Sequence, residues 1–263
     1  MKPILKWVGG KRRLLTQIRE LFPSTYNVYH EPFFGGGALF FNLEPKDAHI
    51  SDSNSRLMTT YLAIKLDVNQ VIKNLKQFTY SRKCYDDVKW YSFERGDIYQ
   101  KAADFIYCNK VGFNGLYRVN QSDKFNVPFG KYTNPNWCDE EALKNASALL
   151  QNTIINTQKF SSTLEVAQKG DLVYFDPPYI PLTETSNFTS YTKDGFGLEQ
   201  QRNLRDIALK IRDKGAHVIL SNSSSPTVYE LYDKYFTLKE VKSLRSINSN
   251  GDKRGAVTEL LIY

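Results

Sequence analysis

Apolar residues occur along the chain as short runs separated by stretches of helical spacing. The runs predict strands over residues 28–31, 48–51, 153–156, 171–175 and 216–220. The helical spacing predicts helices over 38–43, 54–65, 68–78, 97–110, 140–150 and 204–211, with Gly215 as a stop signal. Two further apolar runs, 237–241 and 257–262, predict a terminal antiparallel pair. This alternation predicts the α/β fold class, with a βα core.

The region from residue 67 to residue 150 differs from the segments on either side of it. Its predicted helices flank a segment rich in Gly, Asn and Pro, residues 112–135, where the alternation Phe125-Asn126-Val127 predicts a β-hairpin. We therefore predict a core made of residues 1–66 and 151–263, interrupted by a mostly helical insertion over 67–150. A length of 263 residues suits a core that carries an insertion.

Composition narrows the class of protein only moderately. Hydrophobic residues make up 41% and charged residues 24%, which is ordinary for a globular chain. The net charge of +7 is compatible with a nucleic-acid partner, and the 14% aromatic content is compatible with base stacking, although most aromatics in any protein are core. The start is too short and too charged for a signal peptide, and no apolar run reaches membrane-spanning length. Cys84, Cys108 and Cys138 lack the spacing of a zinc site or a disulfide framework. We expect a soluble cytoplasmic protein without a metal.

The most informative motif is Asp176-Pro177-Pro178-Tyr179, which directly follows the apolar run 172–175. Strand ends at the carboxyl edge of a parallel sheet are where α/β enzymes place their sites. Two consecutive prolines fix φ and remove backbone donors, so this loop offers carbonyl acceptors. A carboxylate beside such a carbonyl provides two acceptors, and a tyrosine ring lies next to them. The motif suits an aromatic amine with two N–H donors on a ring that can stack.

Adenine N6 is such an amine, and its chemistry requires this kind of site. Its lone pair is delocalised into the ring, so the nitrogen is a poor nucleophile. Two acceptors on its hydrogens return electron density to the lone pair and stabilise the positive charge that develops during attack. The alternative interpretation is a rigid turn in which Asp176 caps a helix.

A glycine-rich turn, Gly35-Gly36-Gly37, follows the first predicted strand and opens a helix. Glycines there allow a ligand to approach the backbone closely, and this order differs from the G-x-G-x-x-G of dinucleotide sites. Asp52 ends the second predicted strand, where an acidic side chain can accept both ribose hydroxyls. The alternative is that Asp52 or Ser53 caps the next helix.

Trp7 and Lys11 lie ahead of the core in the segment 6–11. An indole face can lie against a sulfonium cation, and a lysine can bind a cofactor carboxylate. The alternative places Trp7 in the core and Lys11 on a solvated face.

With these segments in one order, the chain resembles the Dam family of DNA adenine-N6 methyltransferases. The matching segments are residues 5–11, 31–38, 113–118, 125–130, 176–179, 187–191 and 246–251. The resemblance implies a Rossmann-like S-adenosylmethionine-dependent methyltransferase core with an inserted, mostly helical target-recognition domain that carries a β-hairpin. It also implies double-stranded DNA as the partner, GATC as the target, a bacterial or phage source, and a monomer with no obligate protein partner.

The resemblance implies roles for individual residues. Cofactor-binding positions are matched by Trp7, Lys11, Phe33, Phe34, Gly35, Gly37, Asp52 and Asp176. The catalytic pocket for the extruded adenine is matched by Asp176, Pro177, Pro178 and Tyr179. DNA-binding positions of the hairpin region are matched by Phe113, Asn114, Leu116, Arg118, Asn120, Asn126 and Pro128. Arg118 matches the residue that reads a guanine, which suits the bidentate geometry of arginine on guanine O6 and N7.

Three other functions compete with this hypothesis. An RNA adenine or protein-glutamine methylase could share the core, but the hairpin with Arg118 speaks against it. A non-catalytic DNA-binding module is opposed by the intact motif from Asp176 to Tyr179. A nicotinamide oxidoreductase is opposed by the lack of a dinucleotide fingerprint.

Overall fold

A computed structural model describes residues 1–180, 196–244 and 256–263. The matched segments 187–191 and 246–251 lie outside the described residues. The chain divides into two compact units. The first unit consists of Met1–Gly10, Phe34–Lys46 and Ile50–Gln158, and the second of Lys11–Phe33, Asp47–His49 and Lys159–Tyr263. The predicted division into core and insertion stays a prediction.

Within the described residues, seven strands form one sheet. They are β1 (Tyr29–Glu31), β2 (Ala48–Asp52), β3 (Thr153–Thr157), β4 (Leu172–Phe175), β5 (His217–Ser223), β6 (Leu238–Leu244) and β7 (Ala256–Ile262), in the order β3-β2-β1-β4-β5-β7-β6. β4 pairs parallel to β1, with Leu172 opposite Tyr29, and parallel to β5, with Leu172 opposite His217. β7 pairs antiparallel to both β5 and β6. The predicted strands and the terminal antiparallel pair are confirmed.

The described residues form nine α-helices. They are α1 (Leu15–Arg19), α2 (Ala38–Leu43), α3 (Ser55–Leu75), α4 (Arg82–Trp90), α5 (Ile98–Val111), α6 (Glu140–Leu150), α7 (Thr163–Val166), α8 (Leu198–Asp213) and α9 (Pro226–Tyr232). Four of them, α3–α6, lie between β2 and β3 in the chain. Gly215 follows α8 with a φ of 91°, as the predicted stop signal requires. The short helices α1, α4, α7 and α9 were not predicted. None of these helices combines the length and apolar character needed to cross a bilayer.

The two helices predicted over 54–65 and 68–78 form one span, α3, which is interrupted at Asp67. Asp67 has φ −155° and ψ 91°, outside the helical region. Its carboxylate accepts hydrogen bonds from the backbone N–H groups of Asn69 and Gln70, at 3.0 and 3.2 Å. Asp67 therefore acts as an N-cap for the second part of the span, which explains why two helical patterns are visible in the sequence.

In the second unit, the parallel strands β4 and β5 are covered by α8 and α9. All four residues of β4 are buried, as are Leu204, Ala208 and Ile211 along one face of α8. A strand buried on both faces is a near-continuous apolar run, and the sequence of β4 has that character. The core therefore fixes the end of β4, from which Asp176 follows directly.

In the first unit, α3 packs against α5 and α6. Tyr61, Ile64 and Val71 of α3 are buried, as are Phe105 and Ile106 of α5. This helical layer carries, at the end of α5, the segment in which a hairpin was predicted.

The segment in which the sequence predicts a hairpin contains two isolated antiparallel bridges, within the first unit. Val119 and Phe125 form an antiparallel bridge, and the N–H of Asn126 donates to the carbonyl of Arg118 at 3.0 Å. A second antiparallel bridge joins Gly112 and Phe129. The hairpin is thus closed near its tip and at its base.

Candidate active site

Asp176 stands at the carboxyl end of β4 and forms an ion pair with Lys11. The Lys11 ammonium nitrogen lies 2.9 Å from Asp176 Oδ1, and the two side chains are only 8% and 19% exposed. A charged hydrogen bond at this burial is far less screened than one at the surface. The sequence predicted that both residues contact a cofactor; the structure brings them into contact with each other.

Burial raises the pKa of Asp176 to about 6, against the lowering effect of the Lys11 ammonium. Asp176 is thus mainly ionised at neutral pH and can act only as an acceptor. No described residue donates a hydrogen bond to Oδ2, so one carboxylate oxygen is available to a substrate N–H.

Tyr179, three residues after Asp176, is fixed at both its hydroxyl and its ring. Its hydroxyl donates to Glu259 Oε2 on β7 at 2.5 Å. The Lys11 ammonium lies 4.4 Å from its ring centroid, a cation–π distance. Burial raises the pKa of the Tyr179 hydroxyl well above its usual value, so the hydroxyl stays a donor. Glu259 is not among the predicted site residues, although a lone carboxylate in the apolar run 257–262 is an unusual feature.

The two prolines of the motif differ in how their carbonyls are used. The Pro178 carbonyl accepts a hydrogen bond from Gln201 Nε2 at 3.0 Å, and Gln201 Oε1 accepts one from Asn222 Nδ2 at 3.0 Å. Gln201 and Asn222 are fully buried, so these polar groups stabilise the loop through each other. Among the described residues, no donor reaches the Pro177 carbonyl. The second acceptor expected beside Asp176 is therefore that of Pro177.

The glycine-rich turn of the first unit is bonded to Asp52. The N–H of Gly35 donates to Asp52 Oδ2 at 3.0 Å, and the N–H of Asn54 donates to Oδ1 at 2.9 Å. The cap of α3 is Asn54, whose side chain accepts from the N–H of Leu57, so Asp52 is not the helix cap. Burial raises the pKa of Asp52, and these backbone hydrogen bonds oppose the effect.

Trp7 lies against this turn. A Cβ at Gly35 would come within 2.7 Å of Trp7 Cδ1, and Gly35 has a φ of +48°. Trp7 also stacks on Tyr117, at 5.8 Å between ring centroids, and on Phe105, at 6.5 Å. The indole is thus held between the turn and the helical layer, and only glycine fits beneath it.

Asn109, a buried residue of α5, fixes the segment that leads to Trp7. Its Oδ1 accepts from the N–H of Lys6 at 2.9 Å, and its Nδ2 donates to the Lys6 carbonyl at 2.8 Å. The same Nδ2 donates to the carbonyl of Gly115 at 3.2 Å. Asn109 is not among the predicted site residues, because an asparagine inside a helical pattern gives no sign of distant partners.

The predicted phenylalanines of the turn pack in aromatic clusters. Phe34 is buried among Phe40, Phe41 and Tyr61 in the first unit. Phe33 is half-buried against Phe160, Phe175 and Phe196 in the second unit. Gly37 has a φ of +64° at the start of α2, and the ring of Phe34 occupies the space that a Cβ would need. Phe34 and Gly37 therefore pack closely against each other and fix the conformation of the turn.

In the hairpin, Arg118 is exposed and held by Asn126. Arg118 Nε donates to Asn126 Oδ1 at 2.7 Å, and Nη2 donates to the Asn126 carbonyl at 3.2 Å. This leaves Nη1 and the second hydrogen of Nη2 for a bidentate contact. Asn120 has a local role, because its Oδ1 accepts from the N–H groups of Ser122 and Lys124 at the hairpin tip.

The other predicted DNA-binding residues surround a tight turn at the end of α5. Phe113 is 49% exposed, and Asn114 has a positive φ of 55°. The N–H of Phe113 donates to the Pro128 carbonyl at 2.9 Å, and Pro128 is exposed while Leu116 is half-buried. The Phe113 ring is therefore available to contact a base. Its backbone is held by the hydrogen bond to Pro128 in the opposite arm of the hairpin. Among the described residues, no group of three or more His, Cys, Asp or Glu side chains could hold a metal ion.

Comparison with known proteins identifies the family. Residues 7–247 match the family described as D12 class N6 adenine-specific DNA methyltransferase. The type II methyltransferase M1.LlaDCHI of Lactococcus lactis subsp. cremoris is 43% identical, over 100% of this chain and 95% of its own. The type II methyltransferase M.MjaIII of Methanocaldococcus jannaschii is 40% identical, over 100% and 98%. The DNA adenine methylase of Haemophilus influenzae is 35% identical, over 99% and 92%.

The mixed seven-stranded sheet and its flanking helices are consistent with a Rossmann-like methyltransferase, which confirms the predicted α/β fold class, while the inserted recognition domain stays a prediction. The chain belongs to the D12 class N6 adenine-specific DNA methyltransferases. The resemblance to the Dam family and the expectation of an adenine-specific DNA methyltransferase are also confirmed.

Proposed function

We propose that this methyltransferase uses S-adenosylmethionine to methylate N6 of an adenine extruded from duplex DNA, with GATC as its target. The observation that carries the proposal is the acceptor pair at the end of β4. Asp176 is ionised and keeps Oδ2 available, and the Pro177 carbonyl has no donor among the described residues. One N–H of the amine would bind each acceptor, which polarises nitrogen for attack.

Tyr179 is proposed to stack on the extruded base. Its ring is braced by Glu259 at the hydroxyl and by Lys11 at the face, so little orientational freedom remains to be lost when the base binds. The Gln201–Asn222 pair holds the Pro178 carbonyl and so fixes the loop that presents Pro177.

The residues of the first unit fit an adenosyl ligand. Asp52 is a buried acceptor at a strand end, and ribose hydroxyls require such a group. The backbone N–H groups of Gly35, Ser53 and Asn54 bond to its carboxylate, which has acceptor capacity beyond these three. Gly35 keeps the backbone open beside the Trp7 indole, where a Cβ would clash. When bound, S-adenosylmethionine would supply the activated methyl group. Phe34 and Gly37 support this turn, and Lys11, Phe33 and Asp176 of the second unit stay predicted cofactor contacts.

Sequence reading is assigned to the hairpin. Arg118 is held by Asn126 so that one edge of its guanidinium can take guanine O6 and N7. Phe113, Asn114, Leu116 and Pro128 are proposed to contact the bases around the gap left by the adenine, because extrusion of a base costs a few kcal/mol that other contacts must offset. We further propose that the enzyme acts as a monomer.

The test is transfer of labelled methyl from S-adenosylmethionine to matched oligonucleotides. A duplex with GATC should be methylated, whereas a duplex with GTAC and an RNA of the GATC sequence should not. Asp176→Asn should lose transfer, while Asp213→Asn, at an exposed aspartate, should retain it. Equal labelling of both duplexes would remove GATC as the target, and labelling of RNA alone would remove duplex DNA as the substrate.

A further inference from the structure

Glu259 of the second unit contacts both Tyr179 and Lys11 with a single oxygen. Its Oε2 accepts the Tyr179 hydroxyl at 2.5 Å and lies 3.8 Å from the Lys11 ammonium. The side chain is 15% exposed and precedes three fully buried apolar residues of β7, 260–262. A carboxylate in such surroundings is costly unless it is paired, and here both of its partners belong to the proposed catalytic machinery.

Lys11 is shared between two carboxylates. Its ammonium lies 2.9 Å from Asp176 Oδ1 and 3.8 Å from Glu259 Oε2. An ammonium paired with Asp176 alone would be free to move across the face of that carboxylate and occupy both oxygens. A second carboxylate 3.8 Å from the ammonium opposes that movement, because it attracts the same charge.

We propose that Glu259 is a positioning residue for methyl transfer, which orients the Tyr179 ring for the adenine and keeps Lys11 on one oxygen of Asp176. The inference rests on the proposed function of Asp176 and Tyr179. Glu259 itself touches neither base nor cofactor in this account, and it acts through the two groups that it holds.

The negative charge of Glu259 also affects the pKa of Asp176, which an uncharged hydrogen-bond acceptor at this position would not do. Among the described residues, the charged and titratable groups around Asp176 are Lys11, Tyr174 of β4, Tyr179 and Glu259 of β7, with Glu31 of β1 beside Tyr174. Burial raises the pKa of Asp176, Lys11 lowers it, and Glu259 raises it. Removal of the Glu259 charge should therefore lower the pKa of Asp176 and shift the acidic limb of the activity profile to lower pH.

Two substitutions separate the positioning effect from the charge effect. Glu259→Gln keeps an oxygen that can accept the Tyr179 hydroxyl but removes the charge. Glu259→Ala removes both. We expect Glu259→Gln to keep kcat within about fivefold with the acidic limb shifted down, and Glu259→Ala to lose roughly 10- to 100-fold in kcat through misplacement of the base. Tyr179→Phe should make the Glu259→Ala loss largely non-additive.

The chain provides a matched control in Glu240 of β6, whose carboxylate accepts the hydroxyl of Tyr229 at an exposed site. Glu240→Gln should leave kcat and the pH profile unchanged.

Two measurements are independent of turnover. The first is the pKa of Asp176 followed by carboxyl ¹³C NMR, which should fall in Glu259→Gln. The second is the emission of 2-aminopurine placed at the target adenine, which should respond to Glu259→Ala when DNA binds and not to Glu240→Gln.

Different results would disprove the positioning role of Glu259 and the proposed function. If the wild type fails to label adenine, the proposed function is wrong, and the NMR titration still decides the electrostatic link between Glu259 and Asp176. If the wild type is active, an unchanged pKa of Asp176 in Glu259→Gln, or equal kcat values for wild type and Glu259→Ala, would overturn the inference.

Discussion

Lys11 and Asp176 form an ion pair in which the ammonium nitrogen lies 2.9 Å from a single carboxylate oxygen, with both side chains largely withdrawn from water. The contact keeps Asp176 ionised in surroundings that otherwise favour its neutral form, since burial raises its pKa to about 6. An acceptor that is charged but not saturated is what an amine with two hydrogens requires. Because Asp176 must be ionised to act in this way, we expect methyl transfer to depend on pH.

We predict that kcat/KM falls as the pH drops through about 6, because protonation of Asp176 removes the charge with which its open oxygen, Oδ2, accepts the N6 hydrogen. The measurement is initial methyl transfer from pH 5 to 8.5 with saturating cofactor. An activity profile that is flat from pH 5 to 7 would show that Asp176 does not act in its ionised form.

The same pKa predicts that Asp176 lowers stability at neutral pH. Its folded pKa is raised from 3.8 to about 6, so the folded state binds more protons than the unfolded chain between these values. Stability is therefore lost as pH rises through this window. Asp176→Asn should abolish transfer yet raise the free energy of unfolding at pH 7.5 by about 1–3 kcal/mol. The check is urea denaturation with Asp213→Asn as the surface control, and a destabilised Asp176→Asn would contradict the prediction.

Gly35→Ala should impair cofactor binding. The added Cβ would lie 2.7 Å from Trp7 Cδ1 at a residue with φ +48°, so the indole or the turn must move. Calorimetry with S-adenosylmethionine should show at least about a tenfold weaker Kd, equivalent to about 1.4 kcal/mol. Gly10→Ala is the matched control, because its Cβ would make only an ordinary contact of 3.5 Å with the Trp7 carbonyl oxygen. Equal affinities for the two variants would remove the turn from the proposed site.

Gln201→Ala should reduce kcat by roughly tenfold or more and destabilise the fold by about 1–3 kcal/mol, because it leaves the Pro178 carbonyl and the Asn222 amide unpaired. The kinetic loss should appear in kcat more than in KM for DNA, since the loop that presents Pro177 would be less ordered. Asn203→Ala, two residues further along α8 and exposed, serves as the control. A loss confined to stability would show that the pair supports the fold alone.

Asn126→Ala should weaken the discrimination supplied by Arg118 without removing its charge. Asn126→Ala removes the 2.7 Å hydrogen bond from Arg118 Nε to Asn126 Oδ1, so the guanidinium is no longer held in one orientation. We expect Arg118→Ala to lose roughly 1–3 kcal/mol of base discrimination and Asn126→Ala to lose part of that amount. The comparison uses kcat/KM on GATC duplexes and on duplexes with one guanine replaced. Lys124→Ala, at an exposed lysine of the same hairpin, should affect all duplexes alike. If Arg118→Ala also affected all duplexes alike, Arg118 would be a phosphate contact.

The sequence predicted correctly those features that depend on the pattern of neighbouring residues along the chain. The end of β4 could be located because Leu172–Phe175 is a buried run followed by prolines, and the break at Asp67 appears as two separate helical patterns. α4 was missed because only Tyr85 and Val88 of its nine residues are buried, which leaves little periodicity. α9 was missed although Pro226 at its first position is a start signal.

The residues that the sequence could not assign depend on distant contacts. Glu259 meets Tyr179 across 80 positions of the chain, and Asn109 meets Lys6 across 103. Asn109 leaves no mark on the local pattern, and Glu259 stands out as a carboxylate in an apolar run without revealing which residues it contacts. In the hairpin, the resemblance suggested DNA contacts for Asn120 and Asn126, whereas the structure gives both side chains partners within the hairpin itself.

The central claim is methylation of adenine N6 within GATC through the acceptors at the end of β4. The most direct measurement is a map of N6-methyladenine in the genome of a methylation-deficient bacterial host that expresses this chain. We predict modified adenine at GATC sites with the wild type and none with Asp176→Asn. Methylation distributed over adenines outside GATC, or equal methylation by Asp176→Asn, would contradict it.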